Sequence, residues 1–471
     1  MQKQSTFYAV ISIFFFWGFM AASNGIFIPF CKEHFQLSQF QSQLIDATFY
    51  GGYFIGSLLL FIYTYFTKKD FVVQQGYAKS FSVGLLVSAA GALCMVPSLH
   101  IGNYTLILGS FFIIALGFSL QQTAANPFVI LLGDQRTGAH RLNLAGGINS
   151  FGTTVGPLIV AYFLFGGISL SNTLQPVNLK SVDTLYIILV CLFVALAILL
   201  RLIKIEEVEQ QSEKEFSFAA LKYPQLILGM VAIFIYVGVE VTIQSNMGAL
   251  LKLPEYGGIS SEALFPFISL YWGSLMMGRW TSSAEVLSPH KTVRKTLLVV
   301  LPFVAFAVVY AVNFFKAQGM EGININSLFI PYLGFVAIMV AVTYFTIEDS
   351  ARMLLAFSLA AMLCMIGGIL TTGNLSILFF MSGGLWCSVM WPCIFALSIK
   401  NLGQYTSQAS AFLIMMILGG AIIPPLQGLL ADKTENIKLS YIITPICFAY
   451  LAYFGWWAMN NNKGEEDKVA H

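Results

Sequence analysis

Charge is what this chain lacks. Only 10% of its 471 residues are Asp, Glu, Lys or Arg, against about 25% in soluble globular proteins. With 57% of residues hydrophobic and a mean hydropathy of +0.77, polar side chains cannot cover the outside, so lipid must meet much of it. Histidine and paired cysteine are sparse too. His34, His100, His140, His290 and His471 fall in loops or at the end, and none of the seven cysteines forms a CxxC pair. That excludes a zinc ribbon or a thioredoxin-like motif. Six of the cysteines lie in apolar spans, where they read as small fillers. No nucleophile constellation is present, so the chain does not read as an enzyme, and neither a metal site nor a cofactor is expected. Basic residues are scattered among loops, which excludes a nucleic-acid footprint. The ten-residue alternation of a membrane barrel is missing. No small-residue cleavage site follows residues 8–30, so no cleavable signal peptide is expected.

What is present is a succession of long apolar runs. A spanning helix needs roughly 20 mostly apolar residues, and helices are the default because lipid offers backbone groups no water. Such runs lie at 8–30, 40–66, 78–98, 103–131, 143–166, 183–203, 225–250, 263–285, 294–314, 328–347, 351–371, 374–399, 407–431 and 439–460. The expected fold is therefore all-α and polytopic, with 14 transmembrane helices. With the N-terminus in the cytoplasm and sides alternating, 18 of the 24 Lys and Arg fall inside and 6 outside. The positive-inside rule thus places both termini in the cytoplasm.

Polar groups within these runs need a reason. Gln121 to Gly152 holds amides, glycines and a proline between apolar flanks. Gln122 and Asn126 are four apart, so a helix puts them on one face. Pro127 removes a backbone hydrogen bond and predicts a kink. Asn149 follows in the next span. Asn24 in the first span reads either as an interhelical hydrogen bond or as a cavity-facing group. Asp46 sits about 9 Å inside its helix at 1.5 Å per residue; it is either functional or kept wet by a frayed end. Asp134, Arg136 and Arg141 lie at inner helix ends, where anchoring and a gating ion pair are both open readings.

The stretch 204–224, with Glu206, Glu207, Glu209 and Glu215, is the most polar long segment and reads as a linker between two halves. In the second half, Tyr236, Glu240 and Gln244 recur every four residues on one helix face, with Asn246 near. Glu240 is the most deeply placed charge, and no basic partner at its depth is expected, because Arg279 is assigned to an inner helix end. A weak internal repeat joins the halves. Asn126-Pro127 is followed by Gly152 and Pro157, and Trp391-Pro392 by Gly420 and Pro425. Such repeats around a midplane site mark many secondary transporters.

The segments TAANPF (123–128), RLNLA and NSFG (within 141–152), IKNLGQ (399–404), FYGGYFIG (49–56) and SPHK (288–291) resemble the fucose:proton symporter family of the major facilitator superfamily, near its L-fucose permease and glucose/galactose branches. The resemblance covers most of the chain and implies two six-helix bundles rocking around a central sugar site. The expected domains are a bundle over 1–204, a linker over 205–224, a second bundle over 225–460 and a tail over 461–471. SPHK ends helix 8 in this family, yet the stretch resembling helix 9 begins near Ala351. Residues 291–349 therefore read as an inserted two-helix hairpin, expected on the lipid-facing periphery or between the halves.

The resemblance also implies a function: import of a monosaccharide such as glucose, galactose or fucose, coupled to a proton or sodium ion, by a monomer in the bacterial inner membrane. Where the fucose branch carries an acid in its first helix and a glutamate before TAANPF, this chain has Gly25 and Gln122. Glu240 matches an acid of the glucose/galactose branch, and Asn149 a sugar-contacting amide. A sugar offers hydroxyls and one apolar face, which amides and aromatic rings suit. The expected substrate set is Asn24, Gln121, Gln122, Asn126, Asn149, Tyr236, Glu240, Gln244, Asn246 and Trp391. Glu240 and Asp46 are the expected coupling acids. Because the usual acids are replaced, a passive sugar facilitator is the alternative.

Overall fold

The computed structural model describes residues 2–36, 39–132, 134, 137–165, 179–202, 218–259, 265–288, 290–317 and 325–469. Among these no strand occurs. The helices are α1 (Gln2–His34), α2 (Gln39–Thr67), α3 (Phe71–Gln75), α4 (Tyr77–Ile101), α5 (Tyr104–Leu131), α6 (Gly138–Phe165), α7 (Leu179–Leu202), α8 (Pro224–Ser245), α9 (Met247–Leu251) and α10 (Phe265–Leu287). They continue as α11 (Lys291–Ala317), α12 (Ile325–Thr346), α13 (Ser350–Leu370), α14 (Gly373–Cys387), α15 (Met390–Ile399), α16 (Thr406–Met415), α17 (Gly419–Thr434), α18 (Ile437–Ser440) and α19 (Ile443–Val469). Among the described residues 11 helices are long and apolar enough to cross a membrane. The other three expected spans are α1, α6 and α10. Of these, α6 and α10 carry glycines, amides and charges, and the candidate site is built from them.

The chain forms two compact units, and neither is a contiguous half. One comprises Met1–Gly133, Phe151–Tyr223 and Asn401–Leu418; the other comprises Asp134–Ser150, Pro224–Lys400 and Gly419–His471. The boundary therefore falls inside α6, between Ser150 and Phe151.

In the first unit α4 packs between α5 and α7, α2 lies on α5, and α16 lies on α2 and α5. Hydroxyls fasten α16. Ser407 donates to Asp70 Oδ1 at 3.0 Å, the same oxygen that caps α3 by accepting from Val72 and Val73 N–H. Ser410 donates to the Thr123 carbonyl at 2.9 Å. That carbonyl lies four residues before Pro127, whose missing N–H leaves it without a helical donor. The expected loss of a hydrogen bond is thus present, although α5 continues through Pro127 to Leu131.

In the second unit α13 packs on α14 and α19, repeating the α4 pattern, and α8 lies against α15, α17 and α19. The glycine repeat acquires a physical meaning here, one residue out of register, since a Cβ on Gly420 would come no nearer than 3.1 Å, to the Val237 side chain. A Cβ on Gly152 of α6 would sit 2.3 Å from the Phe15 carbonyl of α1, within the first unit, and one on Gly419 of α17 would sit 1.8 Å from the Phe234 carbonyl of α8, within the second. Both are backbone-to-backbone crossings that only a residue without a side chain allows.

The inserted hairpin, α11 and α12, packs on α10, α13 and α14 of the second unit. Ser274 and Tyr332 share a hydrogen bond at 2.8 Å, Tyr332 donates to the Met381 carbonyl at 3.2 Å, and Asn313 donates to Ser269 at 2.9 Å. Arg294 pairs with Glu285. Its other side presents exposed Val300, Val304, Ile330, Ile338 and Phe345.

Candidate functional site

The second unit gathers an acid, a cation and a broken helix. Pro392 cannot donate to the Ser388 carbonyl four residues earlier, and the span 373–399 breaks into α14 and α15 at Ser388–Val389. The freed carbonyl accepts from Arg279 Nε at 3.2 Å. Nη1 of the same guanidinium donates to the Gly146 carbonyl at 3.2 Å and to Ser150 Oγ at 2.8 Å. Its Nη2 lies 3.8 Å from Glu240 Oε1, the two side chains being 12% and 13% exposed. Tyr236 donates to the same Oε1 at 2.6 Å, and Tyr271 donates to the Glu240 backbone carbonyl, also at 2.6 Å. Neither Glu240 Oε2 nor Arg279 Nη2 makes a hydrogen bond among the described residues. A carboxylate oxygen and a guanidinium N–H thus stand side by side, both able to engage hydroxyls through charge-assisted bonds.

Sequence reasoning missed Arg279. The expectation that Glu240 has no basic partner is corrected: α10 brings one within ion-pair distance. The signal was available, since Arg279 stands eight residues before the end of α10, about 12 Å at 1.5 Å per residue. That is deeper than the position that singled out Asp46. Tyr271 and Ser388 were missed as well; neither carries a sequence signal apart from the proline after Ser388.

The other expected residues divide. Trp391 stacks at a tilt with its ring centroid 6.2 Å from that of Tyr236, beside Glu240. Gln244 is half-buried one turn further along α8, and Asn149 is half-buried on α6 beside Ser150. Asn246 is committed elsewhere: it donates to Gln427 at 2.8 Å, and Gln427 donates on to Ser440 at 3.1 Å. Arg141 donates to the Thr137 hydroxyl at 2.7 Å and to the Asp134 carbonyl at 3.0 Å, tying down the turn before α6. Beside it, His140 and Asn143 each contact Ser282 of α10 at 2.9 Å.

The expected site residues of the first unit whose side chains are described are neutral amides. Gln121 is fully buried and uses both ends of its amide, accepting from Trp17 at 3.0 Å and donating to Ser88 at 3.1 Å. Gln122 is half-buried and donates to the Tyr53 hydroxyl at 3.1 Å. Asn126 is 1% exposed and its Nδ2 has no partner. The side chains of Asn24 and Asp46, and the whole of Arg136, lie outside the described residues. Among the described residues no cluster of metal-binding side chains forms.

Residues 9–372 match the profile of the Major Facilitator Superfamily. The chain belongs to the major facilitator superfamily. Its relatives agree with the motifs. It is 31% identical to a glucose/galactose transporter of Brucella abortus, over 94% of this chain and 91% of that one. It is 30% identical to a putative glucose/galactose transporter of Helicobacter pylori, over 99% and 100%, and 27% identical to the L-fucose-proton symporter of Escherichia coli, over 95% and 92%. The solved Escherichia coli fucose:proton symporter, FucP, aligns with a TM-score of 0.71 at 25% identity, covering 97% of this chain and 99% of that one. The chain is thus a multi-pass membrane transporter, not an enzyme, with the fold that the TAANPF and RLNLA segments implied.

Proposed function

We propose that this transporter imports a monosaccharide of the glucose, galactose or fucose type, coupled to a proton or a sodium ion by alternating access. The observation that carries the reading is Glu240. It is a carboxylate inside a membrane helix, held by Tyr236 on one oxygen and open on the other. An acid at that depth is costly unless it works. An open carboxylate oxygen beside an open guanidinium N–H suits a pair of neighbouring hydroxyls, with the Trp391 ring available for the apolar face of a sugar. The names of the relatives supply the substrate class. In this reading Gln122, Asn126 and Asn149 add neutral amide contacts, both termini face the cytoplasm, and the halves 1–204 and 225–460 are the rocking bundles.

A passive facilitator is the second reading. It is favoured by Gln122, an amide bonded to Tyr53 that cannot titrate, standing where the symporter branch has an acid. Two measurements decide. A thermal-shift screen of monosaccharides, with and without sodium and across pH, gives the substrate and the ion. Uptake into proteoliposomes under an imposed gradient then separates the readings, because only a symporter accumulates sugar. Glu240→Gln keeps the shape and removes the charge; it is expected to lower gradient-driven uptake by about 100-fold, on the order of 3 kcal/mol. Accumulation at the wild-type rate in that variant would remove Glu240 from the mechanism.

A further inference from the structure

Arg279 does more than neutralise an acid. Of its donors, Nε holds Ser388 at the α14–α15 break, and Nη1 holds Gly146 and Ser150 of α6. The α6 surface is shaped for this approach. A Cβ on Gly146 would meet Arg279 Cδ at 3.2 Å, and one on Gly147 would meet Trp280 Cδ1 at 2.6 Å. All three hydrogen-bond acceptors are neutral. The one anion within ion-pair distance of the guanidinium among the described residues is Glu240. Neutral acceptors alone do not offset the burial of a cation, and removing one partner of a buried pair leaves an uncompensated charge.

We propose that Arg279 is a positioning residue that transmits the charge on Glu240 to α6. While Glu240 is anionic, the guanidinium stays where it clasps Gly146 and Ser150. When a proton adds to Oε2, the oxygen without a partner, the attraction ends. Tyr236 keeps its bond to Oε1, Arg279 keeps all its own protons, and no other bond to hydrogen changes. The guanidinium then moves toward water and frees the Ala145–Ser150 segment of α6, which carries Asn149, while His140 and Asn143 stay bonded to Ser282. The groups that face the acid are Tyr236 on its own helix, Tyr271 and Arg279 from α10, and Cys387 from α14. Of these Arg279 alone is charged across the working pH range. This inference rests on the reading of Glu240 as the coupling acid.

The test reads release of α6 without needing the sugar. Ala145, fully buried on that segment, becomes the maleimide target as Ala145→Cys, with exposed Cys94 and Cys191 replaced by Ser. Labelling is measured from alkaline to acid pH, each rate divided by that of free cysteine at the same pH because maleimide takes only the thiolate, in this background and with Glu240→Gln, Arg279→Gln, both together, and Arg279→Lys. In the parent, labelling should be slow at alkaline pH and rise about tenfold or more on acidification. Glu240→Gln and Arg279→Gln should each label fast at every pH, and the double variant no faster than either, because the two residues act as one unit. Arg279→Lys keeps the charge with fewer donors and should retain a reduced pH response, which also covers the case in which Arg279→Gln fails to fold. A parental pH response in Arg279→Gln, an unaltered one in Arg279→Lys with single effects that multiply in the double variant, or no response in the parent would overturn the proposal. A parental response in Glu240→Gln would instead remove the coupling reading beneath it.

Discussion

Pro127 and Pro392 occupy matching places in the two halves and leave the same defect, a carbonyl four residues back with no helical donor. The molecule fills the two vacancies differently. In the first unit the Thr123 carbonyl takes a hydroxyl from Ser410. In the second the Ser388 carbonyl takes a guanidinium from Arg279. A hydroxyl is neutral and asks nothing further of its surroundings. A buried guanidinium needs an anion, and Glu240 supplies it. One choice of donor therefore accounts for the contrast between a first unit whose described central groups are amides and a second that holds an ion pair. A repeat can keep its backbone geometry while the charge moves to one side.

The comparison can be broken at three levels. The most disruptive change tests the glycines at the two helix crossings. Gly419→Ala drives a methyl into the Phe234 carbonyl and should cost about 3 kcal/mol or more, while Gly152→Ala, with slightly more room against Phe15, should cost about 2 kcal/mol. Melting of the purified proteins in detergent checks the order, and equal tolerance of both would show that the helix crossings are not tight. Next come the prolines. Pro392→Ala restores an N–H that competes with Arg279 for Ser388, and should slow uptake about tenfold, near 1.4 kcal/mol. Pro127→Ala displaces only a hydroxyl and should slow it less than threefold, under about 0.7 kcal/mol. Equal uptake rates in the two would erase the asymmetry. Smallest is Ser410→Ala, which removes one neutral hydrogen bond and should lower stability by about 1 kcal/mol, with the pH dependence of uptake unchanged. A shifted pH profile in that variant would give the first unit a share in coupling.

Much of this was readable beforehand, and the reasons are physical. Long apolar runs and the asymmetry of Lys and Arg depend on lipid thickness and membrane charge, which act on local sequence; they gave the helices. Pro392 and Pro127 announce freed carbonyls because the missing N–H is a covalent fact. The partners of those carbonyls were hidden, since Ser410 and Arg279 reach them from helices distant in sequence. The partners of the polar residues were hidden for the same reason. Gln121 and Asn246 looked like sugar ligands, yet Gln121 knits α1, α4 and α5 together and Asn246 ties α8 toward α17. From sequence, an amide that binds a substrate and an amide that binds a neighbouring helix are indistinguishable. The unit boundary inside α6 had no sequence signature either, because Ser150 and Phe151 share one uninterrupted helix.

The hairpin of α11 and α12 has an evolutionary consequence. It is not a loose ornament, for Tyr332 satisfies both Ser274 and the Met381 carbonyl, and Val309 fills the notch at Gly273. Deleting it in one step would lose two buried hydrogen bonds and leave a groove in α10 for lipid to fill. Gaining such a hairpin is easier than losing it. Once buried hydroxyls have grown together with the helices beneath, the insertion behaves as a ratchet, and descendants are expected to vary its outer, lipid-facing residues while retaining Ser274, Tyr332 and Gly273.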